Sequence, residues 1–522
     1  MSDAQTLPGL EPLAPAIAGP RRAPPRGRRE APTLAKGDEY ARLRTILMFV
    51  GAFVVCAHVL FGREDFEIRD RLLAVVPIFP LLYEINAYNK LGRTTELPFG
   101  IYALLVYYVA FSFPAMFNTV FTDLSGRVSF NDFARFQGTA SVGVSAVMLY
   151  VGILLGRRVG RAAQPTLLRL YPPLVVPSSY PRAVGFYALA CIGATQFVTL
   201  GASFPAAIGV LITMSLSLTF VLGLIMAKPE GFNGPWSRYL FRGVLAIGIL
   251  SGLLRGVLEP LFRMTLTLFT VRWVYIRRFS VITLVALLGA YTILQPAKAS
   301  FREQTWFVRG SAQQAGYTER VTAWTSAITD VWTGRDTKES TEESSVGRFL
   351  ELDPVLHAFT MLPGRVGHAN GEAWLNLIYA PIPRVVWADK PTSTDLDKSY
   401  GVAFNRQNEF GARSTSLMMP LIVDGYWNFG WPGIVFVSVA VGLWIGACQT
   451  MYSGEHWALR ATAVAQFSLI SVIGSFSLLY AGLVQQVVGA IMASWFVYWL
   501  ARFLATKEPN GVRVIQRRAP RR

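Results

Sequence analysis

Apolar stretches of roughly 18 or more residues recur along most of the chain, and each is long enough to cross a bilayer as a helix. Of the 522 residues, 52% are hydrophobic and only 16% are charged. A soluble protein of this size carries about a quarter charged residues. The sequence therefore predicts an all-α polytopic membrane protein.

Twelve membrane spans are predicted, and because twelve is even, both chain ends lie on one side. The spans fall near 45–61, 72–87, 98–117, 139–156, 183–199, 204–226, 241–258, 260–275, 280–295, 432–452, 461–480 and 483–503. They divide the chain into five parts. These are a disordered basic tail (1–44), a bundle of about nine helices (45–295), one large loop (296–420), a bundle of about three helices (421–504) and a second basic tail (505–522).

The positive charges orient this arrangement. The formal charge of +17 is concentrated at the chain ends and in alternate connections, as the positive-inside rule requires. The opposite short connections hold only Arg63, Arg69, Arg71, Arg127 and Arg135. Both termini are therefore predicted to be cytoplasmic and the large loop to lie outside. The same distribution argues against nucleic acid as a partner.

The large loop 296–420 is predicted to be partly helical, and a connection this long is usually functional. Helical spacing marks one amphipathic helix that could lie on the membrane surface, and a second helix further on. The residues are Val321, Trp324, Ile328 and Val331 for the first, and Phe349, Leu352, Leu356 and Phe359 for the second. A third helix is predicted over 371–379, and Pro381 stops it.

The loop also carries thirteen lysines and arginines, which is many for an outside segment. Arginine holds phosphate through a bidentate fork, and lysine adds a point charge. The cluster therefore indicates an anionic partner at the membrane, although a solvated basic surface is the alternative for any one residue. The predicted phosphate ligands are Arg348, Arg365, Arg384, Lys390 and Arg413.

The stretch "APIPRVVWADKP" at 380–391 is the sharpest candidate for binding phosphate. Its prolines restrict the backbone around Arg384, and Trp387 favours the headgroup layer of a bilayer. Arg384 and Lys390 would then be held where a lipid phosphate lies. The alternative is a membrane re-entry turn that Trp387 anchors.

General base chemistry has a candidate in "GRVGHANGEAWLN". His368 and Glu372 are residue types that accept protons near neutral pH, and their spacing of four would place both on one helical face. Gly371 opposes a helix that begins so early. An ordinary exposed histidine is the alternative.

Three charged residues fall within predicted spans: Arg255, Glu259 and Arg263, around Pro260. Charges at bilayer depth usually face a cavity or each other, so a functional site and a structural ion pair both remain open.

No metal or cofactor is expected. The four histidines are scattered, and no HExxH, Cys/His cluster or P-loop is present. Asp395-Leu396-Asp397 is a DxD pattern, but it lies on the predicted outer side, where nucleotide sugars are absent.

"IPRVVWADKP", followed by "DGYWNFGWPG" leading into a span, resembles the Wzy-type O-antigen and exopolysaccharide repeat-unit polymerases. The matching positions are Pro383, Arg384, Trp387, Lys390, Pro391, Asn428, Phe429 and Gly430. The distinctive motifs cover about 380–435, and the order of spans and loop is similar across most of the chain. Asp424 stands where that family would have a glutamate.

The resemblance implies a GT-C-like, metal-independent glycosyltransferase of the bacterial inner membrane with its large loop in the periplasm. Its substrate would be glycan linked to undecaprenyl diphosphate, with membrane lipid and a chain-length regulator as further partners. His368, Glu372 and Asp424 are then the candidate catalytic residues. Two alternatives stay open: an O-antigen ligase that transfers the glycan to lipid A core, and a transporter or flippase of polysaccharide or lipid.

Overall fold

A computed structural model describes residues 36–90, 96–117, 121–170, 235–254, 316–333, 351–375, 393–414 and 417–451, together with a few single positions. These residues are mostly helical. In chain order the helices are α1 Lys36–Phe61, α2 Ile68–Val75, α3 Ile78–Lys90, α4 Phe99–Tyr107, α5 Asp132–Leu170, α6 Pro235–Leu254, α7 Tyr317–Trp332, α8 Leu352–Met361, α9 Ser393–Ala403, α10 Glu409–Ser414 and α11 Leu421–Met451.

Shorter elements complete the described part. The helix α4 continues as a π-helix over Tyr108–Ser112 and a 3-10 helix over Phe113–Met116. A two-stranded antiparallel hairpin follows, in which Thr122–Asp123 (β1) pairs with Gly126–Arg127 (β2) and Thr122 lies opposite Arg127. A 3-10 turn covers Glu372–Trp374.

Five helical segments are long and apolar enough to cross a membrane: Ala41–Phe61, Ile68–Tyr88, Phe99–Met116, Asp132–Arg169 and Leu421–Met451. They coincide with five of the twelve predicted spans, so the prediction of an all-α membrane protein is confirmed at this level. The predicted span 241–258 lies on α6, whose apolar part Arg242–Leu254 is shorter. The other six predicted spans lie almost wholly outside the described residues.

Two span boundaries differ from the prediction. The helix α5 has 39 residues and is about 58 Å long, so it extends well beyond the predicted span 139–156. The helix α11 begins at Leu421, eleven residues before the predicted span 432–452. The predicted span did not include residues 421–431, which contain polar and aromatic side chains, yet most of them are buried.

Helices α5 and α11 approach each other through glycines on both sides. A side chain on Gly152 would lie 2.9 Å from Leu443 N, and one on Gly446 would lie 2.9 Å from Arg157 N. Small residues allow helix backbones to pack this closely, as is common between membrane helices. The α5–α11 pair is therefore the axis on which the other described helices are arranged.

The helices of the large loop follow the prediction with one difference. In α7, Trp324 stacks on Phe301 with ring centroids 4.4 Å apart, and Ile328 and Val331 pack against the same small core. Val321, which was predicted to share that face, is exposed. The second predicted helix is confirmed as α8, whereas the third, over 371–379, is described only as far as the turn at Glu372–Trp374.

Segments predicted to share the outer side contact one another at one end of the bundle. Arg63 forms a buried ion pair of 2.5 Å with Asp353, and the Glu351 N–H donates to Ala110 O at 2.8 Å. In the hairpin, the Leu124 N–H donates to Asn405 O at 2.9 Å. We call this end the loop face, made of residues 62–67, 121–131, 351–375 and 397–419.

Candidate functional site

The imidazole of His368 is fixed by backbone carbonyl groups. Its Nδ1 lies 3.1 Å from Tyr426 O and 3.3 Å from Trp427 O. Because carbonyl oxygens only accept hydrogen bonds, these contacts assign the proton to Nδ1. Nε2 then carries the free lone pair, and it has no hydrogen-bond partner among the residues described. The half-buried ring is thereby oriented to accept a proton at Nε2.

These carbonyl groups are available because α11 is broken. Phe429 has φ −140° and ψ 19°, and Gly430 has φ 63° and ψ −145°, a conformation that glycine adopts without strain. The break separates a short half, 421–428, from a long half, 431–451. The short half therefore ends with carbonyl groups that the long half does not use. His368 Nδ1–H contacts two of these carbonyl groups, and the Ala369 N–H donates to Trp427 O at 2.9 Å.

Asp424 lies in the short half of α11 and is completely buried. Its Oδ1 accepts hydrogen bonds of 2.9 Å from Trp374 Nε1 and from Asn428 Nδ2. Two donors on one buried carboxylate oxygen hold it in one position. Asp424 thus joins the 3-10 turn at Trp374 to α11, which is the role of a positioning residue.

The helical pairing predicted for His368 and Glu372 is wrong. Asn370 and Gly371 have φ of 48° and 83°, so the chain turns sharply between the two residues and no helix carries both. A side chain on Gly371 would also lie 2.5 Å from Phe429 Cζ. Glu372 is exposed on the 3-10 turn, and its N–H donates to Ala369 O at 2.9 Å.

Arg365 is the one predicted phosphate ligand whose surroundings are described. It is exposed on the segment that follows α8, three residues before His368. Exposure leaves its guanidinium accessible to an anion. The clamp predicted around 380–391 lies outside the described residues apart from the exposed Trp387. Also outside are Arg348, Arg384, Lys390, the side chain of Arg413, and the intramembrane candidates Arg255, Glu259 and Arg263.

Of the DxD pattern Asp395-Leu396-Asp397, the structure describes only the side chain of Asp397. Asp397 is buried and accepts a hydrogen bond of 3.3 Å from the Met419 N–H, so it binds backbone. Within the described ranges, no group of three or more His, Cys, Asp or Glu residues could hold a metal ion.

A second group of ionisable residues at the loop face was not predicted. Burial raises the pKa of Glu351 to about 7, and the charge of Arg406 acts in the opposite direction. His357 contacts Phe404 O through Nε2 at 2.8 Å, and its pKa is lowered, chiefly by burial and further by Arg406 and Arg365. The Arg406 guanidinium lies over the ring of Phe121, 4.9 Å from its centroid.

The sequence held no signal for this second group, because its members come from three separate segments. For Trp374 the only signal was its place beside Glu372 in the quoted motif. Asn428 was noted only as a position of the family resemblance. Its spacing of four from Asp424 within a helix is what brings the two side chains together.

Comparison with known proteins places His368, Trp374, Asp424 and Asn428 in one family domain. A family model described as a domain of unknown function (DUF8712) matches residues 185–453. The chain belongs to this family. The domain contains the large loop and all of α11, whereas α1 to α5 precede it. No curated protein matches the chain, and no solved structure does.

Proposed function

We propose that this protein is a glycosyltransferase that polymerises lipid-linked oligosaccharide repeat units. The growing glycan leaves undecaprenyl diphosphate and is joined to a hydroxyl group of an incoming lipid-linked unit. The observation that carries this proposal is His368, whose Nδ1–H is fixed on Tyr426 O so that Nε2 is free to accept a proton. The carbonyl groups that fix His368 belong to α11, a helix long enough to cross a membrane.

The reaction needs a proton acceptor and stabilisation of a leaving diphosphate. His368 Nε2 takes the proton of the acceptor hydroxyl as its oxygen forms the new glycosidic bond. The bond between the donor sugar and the diphosphate breaks, and the electron pair stays on the diphosphate. Fixed arginines stabilise the charge that develops there without a metal ion. We assign this role to Arg365, which is exposed three residues before His368, and Arg348, Arg384, Lys390 and Arg413 remain predicted contributors.

The three candidate carboxyl and imidazole groups take different roles in this proposal. His368 is the base because its orientation is fixed and its Nε2 is free of described partners. Asp424 positions the segment, since its Oδ1 already accepts two hydrogen bonds. Glu372 is exposed and has no fixed orientation toward His368, so we assign it no catalytic step.

The proposed location is the bacterial inner membrane, with the loop face in the periplasm and both termini in the cytoplasm. The contacts among residues 62–67, 121–131, 351–375 and 397–414 support it, because every one of these segments was predicted to lie on the outer side. Lipid-linked repeat units are polymerised on that side in the proteins that the sequence resembles.

A pair of substitutions at His368 tests the role of the imidazole directly. In His368→Asn, the side-chain amide N–H can replace Nδ1–H on Tyr426 O, but no basic nitrogen remains. We expect purified His368→Asn protein in lipid nanodiscs to fold normally and to make no polymer from lipid-linked repeat units. Glu372→Gln is the matched control, and we expect polymer of normal length from it. Polymer from His368→Asn at the unsubstituted rate would contradict the role of His368 as base.

The same assay separates the alternatives. A ligase would transfer glycan only when lipid A core is supplied, whereas a polymerase lengthens the glycan on its own lipid carrier. A transporter would form no new glycosidic bond in either case.

A further inference from the structure

Four helical segments bring a polar cluster together inside the bundle, away from the site described above. Glu84 lies on α3, Arg157 on α5 and Gln449 on α11, and all three are buried. Each lies within a segment long enough to cross a membrane. Arg157 Nη2 forms an ion pair with Glu84 Oε1 and donates to Gln449 Oε1 at 3.2 Å. Charged groups at such depth are costly and usually serve a function.

Gly100, in the first turn of α4, is the point on which these side chains converge. Its N–H donates to Gln449 Oε1 at 3.3 Å. A side chain at this position would lie 3.1 Å from Glu84 Oε1 and 3.2 Å from Arg157 Nη2. Because Gln449 Oε1 accepts from two donors, the orientation of its amide is fixed. The Nε2 group of Gln449 therefore points away from these donors.

Much of the hydrogen-bonding capacity of the cluster is unused. Arg157 Nε and Nη1, Gln449 Nε2 and Glu84 Oε2 are buried and have no hydrogen-bond partner in the described part of the chain. Three of the four are N–H donors, and only Glu84 Oε2 is an acceptor. Buried polar groups without partners are rare in folded proteins, and each calls for an explanation such as a bound ion or water. A donor-rich set is the kind that binds an anion.

The charges of the cluster limit what that anion can be. The opposite charges of Arg157 and Glu84 cancel each other, and the N-terminus of α4 adds a partial charge of about +0.5. One monovalent anion would bring the total to about −0.5, whereas a dianion would leave about −1.5 in a low-dielectric interior. Close packing around Gly100 also requires a small ligand.

We propose that Glu84, Arg157, Gln449 and the N-terminus of α4 form a binding site for one small monovalent anion of the halide type. The anion would accept hydrogen bonds from Gln449 Nε2 and from one unused N–H group of Arg157, either Nε or Nη1, because these two lie on opposite edges of the guanidinium. Glu84 holds the guanidinium in place and opposes the anion through its charge. Binding of the anion to the folded state alone would stabilise the bundle.

Halide dependence of stability tests this site without reference to glycan transfer. The melting temperature of the purified full-length protein is measured in detergent as chloride or bromide replaces gluconate at constant ionic strength. We expect the melting temperature to rise and then to saturate with the halide concentration. For Glu84→Gln, which keeps the bond to Arg157 but removes the opposing charge, we expect half-maximal stabilisation at a roughly tenfold lower halide concentration.

Two further variants locate the effect. Gln449→Leu removes one donor, and we expect its response to halide to be lost or strongly weakened. Arg161→Gln, which disrupts the partly exposed Arg161–Glu96 pair one helical turn along α5, should respond as the unsubstituted protein does. Equal melting temperatures of the unsubstituted protein in chloride and gluconate would overturn the proposal and leave a site filled by water only. A normal halide response in both Gln449→Leu and Glu84→Gln would overturn it as well.

Discussion

The indole of Trp374 donates a hydrogen bond of 2.9 Å to Asp424 Oδ1, and this contact is one of several that join the large loop to α11. Fifty residues separate the two residues in sequence, and Asp424 is completely buried. The segment that carries Arg365 and His368 is held between α8 on one side and this bond on the other, and carbonyl groups of α11 fix His368 between them. The bond from Trp374 therefore supports the position of the proposed base.

Removing the indole donor should loosen this segment. In Trp374→Phe the aromatic contact with Phe429 can persist, but Asp424 Oδ1 loses one of its two described donors. We expect the free energy of unfolding to fall by about 1–3 kcal/mol, with a larger loss of polymer formation. Denaturation and polymer assays on the same preparation check this. Trp332→Phe, an exposed tryptophan on α7, is the control and should change neither quantity.

Gly371 should tolerate no side chain. Its φ is 83°, and a Cβ atom would lie 2.5 Å from Phe429 Cζ, so Gly371→Ala adds backbone strain and a clash. We expect a loss of stability of about 1–3 kcal/mol and loss of polymer, measured as above. Gly367→Ala is the matched control, because no atom lies within 4 Å of the added methyl group. Equal stability of the two variants would show that the turn at 370–371 is not as described.

Glu351 should make stability depend on pH. Burial raises its pKa from 4.5 to about 7, so the folded protein binds this proton more tightly than the unfolded chain does. The contribution is fully present below about pH 4.5 and is lost as pH rises toward 7. We expect Glu351→Gln to raise the free energy of unfolding at pH 8 by up to about 3 kcal/mol relative to the unsubstituted protein.

Stability profiles from pH 5 to 8 check the prediction for Glu351, with Glu372→Gln as an exposed control that should leave the profile unchanged. A profile for Glu351→Gln that runs parallel to that of the unsubstituted protein would mean that Glu351 does not titrate in this range.

The ion pair between Arg63 and Asp353 should hold α8 against the end of α1. Both side chains are nearly inaccessible to solvent. Asp353→Asn therefore leaves the buried positive charge of Arg63 with one negative partner fewer. Asp65 still contacts Arg63 at 3.0 Å, and we therefore expect a loss of about 1–3 kcal/mol rather than the 3–5 kcal/mol typical of an isolated buried charge. Glu67→Gln, which affects the exposed pair with Arg69, should cost less than about 0.5 kcal/mol. Similar melting temperatures for the two variants would contradict this account.

The sidedness of the loop can be tested by labelling. A cysteine at Ser340, within the predicted outer loop, should react with an impermeant thiol reagent added to intact cells with a permeabilised outer membrane. A cysteine at Ala31, in the predicted cytoplasmic tail, should be spared. Labelling of Ala31→Cys but not of Ser340→Cys would reverse the proposed orientation and exclude chemistry at the periplasmic face.

Hydropathy was sufficient to predict the five spans, because a window of apolar residues reports burial in lipid whatever the tertiary contacts are. It failed at the start of α11. The segment 421–428 contains Asp424 and Asn428, whose cost of burial is offset by hydrogen bonds to each other and to Trp374. Such compensation depends on a partner fifty residues away, and a local average of hydropathy does not include it.

The candidate site also depends on contacts between residues far apart in sequence, which a local sequence pattern does not include. His368 could be selected from its residue type, but the groups that fix it are backbone carbonyls of Tyr426 and Trp427, which exist at every position and leave no mark in a sequence. The helical pairing with Glu372 failed because Asn370 and Gly371 adopt left-handed conformations. The dipeptide Asn-Gly favours such a turn, and that signal outweighs the spacing of four.

The glycine contacts between α5 and α11 have a consequence for how a substrate is admitted. They fix the long half of α11 against α5 along several turns. The short half is held in the same way, because a side chain on Gly433 would lie 2.8 Å from Gly425 C and residues 421–428 are all buried. The carbonyl groups that fix His368 therefore belong to a rigid support. A substrate must approach the proposed base from the solvent side, where Arg365 and Gly367 are exposed.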